Sequence, residues 1–161
     1  MLATVLSPDR VYRYVLERAW LYGSGTVLFV LLNPSTADEN HNDNTIRRGI
    51  DFAQSWGFQR LLVCELFGIR SRDPRVLLTH PDPVGPDNDR YLLQAAGESD
   101  MTVFAWGNWG SVRGRAAAVS KLFAGIDAKC FCFTKQGQPK HPLYVAKTQP
   151  LIPFCQLGVP S

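Results

Sequence analysis

The chain has 161 residues, of which 45% are hydrophobic, and these values set the scale of the fold. A chain of this length buries one substantial core and is too short for two comfortable domains. We therefore expect a single domain over residues 1–161, with its core in residues 11–153. The formal net charge is only +3, which excludes the strongly basic proteins that coat nucleic acid. Any nucleic-acid contact is expected to be a local patch.

The four cysteines have neither Cys-x-x-Cys spacing nor histidines at zinc-finger distances, which argues against a zinc ribbon or a cysteine-held iron–sulfur cluster. Cys64, Cys130 and Cys132 lie in apolar runs, so we expect reduced core residues. Residues 1–10 lack the features of a signal peptide, and no apolar run approaches the about 20 residues of a membrane span. The sequence predicts a cytosolic monomer with no cofactor, no metal and no membrane contact.

The hydrophobic pattern predicts strands and helices that alternate along the chain. Residues 11–20 alternate between two faces and predict an edge strand. Residues 26–32 form a continuous β-branched apolar run, which is typical of a strand covered on both faces in a parallel sheet. Residues 45–58 carry apolar side chains at helical spacing, with Asp43 or Asn44 as the N-cap.

The same alternation continues to a fourth buried strand. We predict strands at 61–67, 101–106 and 129–134, and helices at 86–96 and 110–123. This order predicts a three-layer α/β/α sandwich around a mainly parallel four-stranded sheet, with the N-terminal strand added at an edge. The proline-rich segments elsewhere are expected to be irregular. In such sheets ligands bind beyond the carboxyl ends of the strands.

Polar and aromatic residues cluster after the predicted strand ends, where that rule expects a site. We take Asn33 and His141 as candidate catalytic residues. The candidate base-binding or substrate-binding residues are Pro34, Ser35, Glu65, Phe67, Trp106, Gly107, Asn108 and Tyr144.

Three of these candidates also have structural explanations. Asn33 can hold a water or read a base edge, or it can close the strand in an Asx turn. His141 is either a site residue or a surface histidine in a proline-rich loop. Trp106 either packs in the core or forms an aromatic wall on which a flipped base stacks.

Glu65 ends a buried strand, where an unpaired carboxylate is costly. We expect it either to pair with an arginine such as Arg70 or Arg48, or to accept a hydrogen bond from an exocyclic amine of a bound base. Basic residues along the same edge are either an ordinary solvated surface or a phosphate-binding strip, and the planar fork of arginine suits the second role. The predicted phosphate ligands are Arg47, Arg48, Arg70, Arg113 and Lys140.

Three segments, at residues 32–35, 104–110 and 141–143, resemble in order and spacing the characteristic motifs of the uracil-DNA-glycosylase superfamily. Residues 12–153 are similar to the bacterial and phage group known as domain of unknown function 1643, with its Asn-Pro-Ser-Thr-Ala-Asp and Lys-His-Pro-Leu-Tyr signatures.

The resemblance implies a uracil-DNA-glycosylase-like fold and gives two residues roles in catalysis. Asn33 falls where the family places the asparagine that positions the attacking water. His141 falls where the family places the histidine that hydrogen-bonds the base and stabilises the departing oxyanion. Trp106 and Gly107 resemble the turn that helps to wall the site.

The chain departs from the family pattern in three places. Asn33 occupies the position of the stronger water-activating aspartate found in the uracil branch. Leu143 and Tyr144 replace the second serine-proline pair, which puts one phosphate contact in doubt. The asparagine that reads uracil has no clear counterpart, since Cys64 or Glu65 stands in that region. Uracil itself is therefore not the expected substrate.

These observations leave three functional hypotheses. The first is a DNA-base glycosylase that hydrolyses the N-glycosidic bond of a modified or damaged base. The second is a non-catalytic module that binds nucleic acid or nucleotide. The third is an enzyme that acts on a free nucleoside or nucleotide, which the low net charge favours over duplex binding. The expected partner is thus DNA, either single-stranded or with a modified base, or a nucleotide.

Overall fold

The computed structural model describes residues 1–155 and shows an α/β fold built on one seven-stranded sheet. Its strands are β1 (Val5–Leu6), β2 (Arg13–Ala19), β3 (Thr26–Leu31), β4 (Arg60–Glu65), β5 (Met101–Phe104), β6 (Ala128–Cys130) and β7 (Ile152–Pro153). Its α-helices are α1 (Asn44–Ser55), α2 (Val76–Thr79), α3 (Asn88–Gly97) and α4 (Arg115–Leu122). Two 3-10 helices span Asn108–Gly114 and Pro142–Tyr144.

The strands lie in the order β1-β2-β4-β3-β5-β6-β7. The central strands β4, β3, β5 and β6 are parallel, which confirms the predicted four-stranded parallel core. The strand β2 runs antiparallel to β4, while β1 and β7 pair antiparallel at the two edges.

The sheet has more strands than the sequence predicts, and the placement of the N-terminal strand at an edge is wrong. The strand β1 pairs with the outer side of β2, so β2 lies inside the sheet. The added strands β1 and β7 are two residues long, which is too short to show an alternating pattern in the sequence.

Side chains on the two faces of the sheet form two hydrophobic clusters, because successive residues of a strand point to opposite faces. On one face Phe29 of β3 packs with Phe52 of α1. On the other face Leu28 of β3 packs in the cluster that holds Leu92 of α3 and Val119 of α4. Helices therefore cover both faces, as the predicted three-layer arrangement requires.

The ends of two helices can be compared with the ends predicted from the sequence. Asp43 caps α1, since its side chain accepts a hydrogen bond from the backbone N–H of Ile46 at 3.0 Å. The predicted helix over 110–123 is divided into a 3-10 helix and α4. Arg113 (φ 54°) and Gly114 (φ 66°) separate them, because a left-handed backbone cannot continue a right-handed helix.

All four cysteines are free thiols. Cys64 and Cys130 are buried, as expected, whereas Cys132 is half-buried and Cys155 is exposed. Among residues 1–155, every helix is too short or too polar to cross a bilayer.

Candidate functional site

A polar cavity of about 290 Å³ lies at the carboxyl ends of β3 and β4. This is where ligands bind in parallel α/β sheets. The predicted site residues that line it are Asn33, Pro34, Ser35, Glu65, His141 and Tyr144. The polar lining residues absent from the predicted site are Arg13, Asp43, Thr45, Ser71 and Arg72.

Asn33 joins the loops that follow β3 and β4. Its side-chain amide Nδ2 donates to the backbone carbonyls of Ser71 at 3.0 Å and Ile69 at 3.4 Å, and to that of its neighbour Pro34 at 3.1 Å. The N–H of Ser71 donates in turn to the Pro34 carbonyl at 2.8 Å. The Asn33 Oδ1 accepts no hydrogen bond from the described residues, so this oxygen is available to a water or ligand in the cavity.

His141 enters the cavity from the other side, at the start of the short 3-10 helix Pro142–Tyr144. Its Nδ1 accepts a hydrogen bond from the backbone N–H of Leu143 at 3.2 Å. A neutral imidazole that accepts at Nδ1 carries its proton on Nε2, so the ring offers an Nε2–H donor. Burial lowers the pKa of His141 from 6.5 to about 4, against the opposing effect of the Asp43 carboxylate. His141 is therefore neutral at pH 7.

Arg48, a residue of helix α1, holds the turn that contains His141 in place against this helix. Its Nε donates to the backbone carbonyl of Pro142 at 3.3 Å, and its Nη2 donates to the carbonyl of Val145. The guanidinium also lies over the ring of Phe52, 5.6 Å from the ring centre. Arg48 was predicted to bind phosphate, but these contacts direct its donors to the protein's own backbone.

Glu65 and Arg13 form a buried ion pair in the wall of the cavity. The Arg13 Nη2 donates to Glu65 Oε1, and the Arg13 Nη1 donates to the carbonyl of Ala37 at 2.9 Å. The expected pairing of Glu65 with an arginine is confirmed, but its partner is Arg13 and not Arg70 or Arg48, the arginines named from the sequence. Arg13 reaches Glu65 because β2 runs beside β4 in the sheet.

The second carboxylate oxygen of this pair is unpartnered. Glu65 Oε2 is buried and accepts no hydrogen bond from the described residues. Burial raises the pKa of Glu65 to about 7, since the favourable effect of Arg13 offsets only part of the cost of desolvation, and the Asp43 carboxylate raises it further.

The predicted aromatic wall lies elsewhere. Trp106 is buried, donates through Nε1 to Gln138 Oε1 at 2.8 Å, and lines a separate cavity of about 350 Å³ beside α4. Phe67 belongs to the hydrophobic cluster on that same face. Asn108 accepts a hydrogen bond from the Thr134 hydroxyl at 2.5 Å and does not line the first cavity.

Gly107 lies against His141 although it does not line the cavity. Its backbone has a φ of 75°, and a Cβ placed there would lie 3.9 Å from the Cβ of His141. Its N–H donates to the carbonyl of Pro139 at 2.8 Å. The turn at Gly107 thus supports the segment that leads into His141.

The other predicted phosphate ligands also lie away from the cavity. Arg113 donates to the carbonyls of Leu77 and His80, both at 2.8 Å. Arg70 donates to the carbonyl of Arg10 at 3.4 Å. Arg47 donates to Oδ1 of Asn44, a residue of its own helix. The Lys140 side chain makes no hydrogen bond within residues 1–155.

Two basic residues that are absent from the predicted phosphate ligands line the cavity. Arg72 is exposed and follows Ser71, whose carbonyl is held by Asn33. Arg13 is almost fully buried. The signal for Arg13 was its place directly before the apolar residues 14–16 at the start of β2, where a buried charge implies a partner.

The arrangement offers three kinds of contact to a small ligand. Asn33 provides an acceptor, neutral His141 provides a donor, and Glu65 provides a carboxylate oxygen next to a guanidinium. The N-terminal turn of α1 borders the same cavity at Thr45, where helix geometry favours negative charge. A cavity of this volume is at the small end of ligand sites and suits a group the size of a single nucleobase.

The fold and the cavity define an α/β protein with a mixed sheet and a small cavity lined by polar side chains at its strand ends. A family model described as "Protein of unknown function (DUF1643)" matches residues 13–143, and the chain belongs to this family. No curated protein and no solved structure matches the chain. The family match carries no link to the uracil-DNA-glycosylase superfamily, so that part of the resemblance stays a prediction.

Proposed function

We propose that the cavity binds a nucleobase and that the protein hydrolyses the N-glycosidic bond joining this base to its sugar. The base belongs to DNA, where it is modified or damaged. The single observation that carries the proposal is that Asn33 and His141 line one cavity, although they are far apart in the sequence. These are the two residues to which the resemblance to uracil-DNA glycosylases gives catalytic roles.

The proposed reaction needs two groups aimed at opposite ends of the bond. The bond between the sugar C1′ and the base nitrogen breaks, and its electron pair leaves with the base. The oxygen of a water molecule bonds to C1′, and the water's proton passes to the base or to solvent. Asn33 Oδ1 holds this water by accepting one of its O–H groups.

His141 acts on the departing base. Its Nε2–H donates to an oxygen of the base and stabilises the negative charge that develops there, without giving up a proton. A histidine with its pKa near 4 suits this role, because at pH 7 it remains a neutral donor with a fixed tautomer. A base that fills the cavity displaces water from it, which strengthens the hydrogen bond.

A second candidate function is hydrolysis of, or simple binding to, a free nucleoside or nucleotide. The contacts of Arg48 and Arg113 favour it, since both arginines donate to the protein's own carbonyls instead of facing solvent phosphates. Arg72 is then left as the exposed arginine in the cavity wall, which supports few phosphate contacts.

The test is an activity screen. Purified protein is incubated with single-stranded and duplex DNA carrying a panel of modified bases, and with free nucleosides in parallel. Abasic sites are detected by alkaline strand cleavage, and released bases by chromatography. We expect base release from at least one DNA substrate. Release from nucleosides alone would establish the second candidate, and binding without release would establish a non-catalytic module.

Substitutions test whether base release depends on the residues of the cavity. His141→Gln and Asn33→Ala should each lower the rate while leaving substrate affinity within a few-fold. His41→Gln is the matched control, because His41 is exposed and outside the cavity. Full activity in His141→Gln would contradict the role proposed for this residue.

A further inference from the structure

We infer that the base bound by this cavity is an amino-oxo nucleobase of the cytosine or guanine type, and that Glu65 reads its exocyclic amine. The inference rests on the proposed function, which puts a nucleobase in the cavity. It specifies the chemical class of base that the cavity accepts. It also assigns a recognition role to Glu65, which takes no part in the hydrolysis itself.

The buried carboxylate of Glu65 provides the first observation. Its side chain is only 1% exposed, and Arg13 occupies Oε1. Oε2 has no partner among the described residues, although Glu65 lines the cavity. A buried acceptor without a donor is costly, and an N–H group from a ligand would remove that cost.

Within residues 1–155 no side chain donates a hydrogen bond to Oε2, and the Nε of Arg13 is a buried donor that also lacks a partner. Asn88 donates to the backbone carbonyls of Glu65 at 2.8 Å and Leu66 at 3.2 Å, and not to the carboxylate. His141 and Asp43 line the same cavity, but His141 makes no hydrogen bond to Glu65 among the described contacts, and Asp43 is an acceptor that caps α1. The geometry therefore leaves the Oε2 of the ionised carboxylate open to a donor from a molecule that the cavity binds.

The charge at this wall selects between bases. A carbonyl oxygen, such as the O4 of uracil, would meet Oε2 acceptor against acceptor and be repelled. An amine, such as the N4 of cytosine or the N2 of guanine, would donate to it. The Nε2–H of His141 supplies the complementary contact for the remaining oxygen of the same base, and this pair of contacts excludes a base with two carbonyls.

Arg13 makes the recognition testable by a single substitution. In Glu65→Gln the amide oxygen must face Arg13 Nη2, because that guanidinium donates to whatever occupies the position of Oε1. The amide NH2 then takes the position of Oε2. The substitution thus replaces an acceptor by a donor at one point of the wall, and the preference should pass from amino bases to carbonyl bases.

The experiment measures dissociation constants by calorimetry at about pH 8, where Glu65 is ionised. The ligands are two matched pairs, 2′-deoxycytidine with 2′-deoxyuridine and 2′-deoxyguanosine with 2′-deoxyinosine, each as the nucleoside and as the central residue of a single-stranded DNA trinucleotide. In the first pair a carbonyl replaces the amine, and in the second pair a hydrogen replaces it. We expect the amino member of at least one pair to bind about tenfold more tightly, as a hydrogen bond to a charged group requires. Glu65→Gln should abolish or reverse this preference.

Glu98→Gln is the matched control. Glu98 also pairs with an arginine, Arg60, at 3.3 Å, but at the opposite end of β4 from Glu65. This control should keep the preference of the unsubstituted protein. If Glu65→Gln fails to fold, the two ligand pairs on the unsubstituted protein still decide the question.

The outcomes separate the inference from the proposed function. Equal binding of both members of each pair, or tighter binding of the member that lacks the amine, would overturn the inference and leave the proposed function standing. Absence of binding by every nucleoside and trinucleotide would also overturn the inference, whereas the proposed function is decided by the screen for base release.

Discussion

The side-chain amide of Asn33 donates a hydrogen bond to the backbone carbonyl of Ser71 at 3.0 Å and so ties the loop after β3 to the loop after β4. The amide nitrogen is committed to this contact and to the carbonyl of Ile69. The resemblance places a water-activating aspartate at this position in the uracil branch. In this chain a carboxylate would face carbonyl oxygens, which gives a physical reason for an asparagine.

Asn33→Asp should therefore lower the free energy of unfolding by about 2 kcal/mol, because it removes donors and leaves backbone carbonyls opposite a negative charge. Urea unfolding at neutral pH measures the loss. Asn44→Asp is the matched control, since the Asn44 side chain uses its oxygen to accept from Arg47, and a carboxylate keeps that acceptor. Equal stability of Asn33→Asp and the unsubstituted protein would show that the loops do not depend on this amide.

The second prediction concerns the protonation of His141. Its pKa in the folded protein is about 4, below its ordinary value of 6.5. Between pH 4 and pH 6.5, His141 is therefore protonated in the unfolded chain and neutral in the folded protein. The contribution of His141 to stability is complete above pH 6.5 and falls by up to about 3 kcal/mol as the pH drops to 4.

The difference in unfolding free energy between the unsubstituted protein and His141→Gln should narrow over that interval. The comparison between variants is needed because Glu65, with a pKa raised to about 7, changes stability in the opposite direction as the pH falls. Nitrogen NMR shifts should report an Nε2–H tautomer at pH 7. A titration midpoint above 6, or a proton on Nδ1, would contradict the assignment.

The third prediction identifies Arg48 as a positioning residue. Arg48→Ala frees the turn at Pro142, so water should reach His141 and raise its pKa from about 4 toward 6.5. The NMR titration of His141 measures this directly, and a purely structural role for Arg48 would leave the midpoint unchanged. Arg47→Ala is the control, because Arg47 is exposed and contacts only its own helix among the described residues.

The fourth prediction concerns the coupling between Arg13 and Glu65. Arg13→Met leaves a buried carboxylate unpaired and should cost about 3–5 kcal/mol at about pH 8. The double variant Arg13→Met/Glu65→Leu removes both charges and should cost less than either single substitution. Urea unfolding of all four proteins gives the coupling energy. Additive costs would show that the two side chains do not stabilise each other.

The parallel centre of the sheet was predictable from the sequence because burial on both faces produces continuous apolar runs. Strand β3 is buried along its whole length, and the continuous apolar run at residues 26–32 reflects this burial. The N-cap Asp43 was predictable for a local reason, since the capping contact spans three residues. The two-residue edge strands were not, because their pairing depends on long-range contacts and not on their own pattern.

The candidate site was predicted in part. Asn33 and His141 follow strand ends, and the rule for parallel sheets brings such residues to one edge. Trp106 follows a strand end too, but it lies two residues after Phe104 and shares its face, with the ring centres 4.7 Å apart. The sequence shows which residues share a face and not which face bears the cavity. The pairing of Arg13 with Glu65 was hidden by their separation of 52 positions along the chain.

That separation has a consequence for how the protein is made. A ribosome adds about 5–20 residues per second, so Arg13 precedes Glu65 by about 3 to 10 seconds, which is far longer than a hairpin needs to form. Throughout this interval the nascent chain carries a cation destined for the core before its partner carboxylate has been made. The N-terminal hairpin segment has to stay hydrated, or be shielded by other factors, until β4 is synthesised. Removal of the charge from Arg13 is thus expected to permit earlier collapse of the nascent chain, even while it weakens the finished protein.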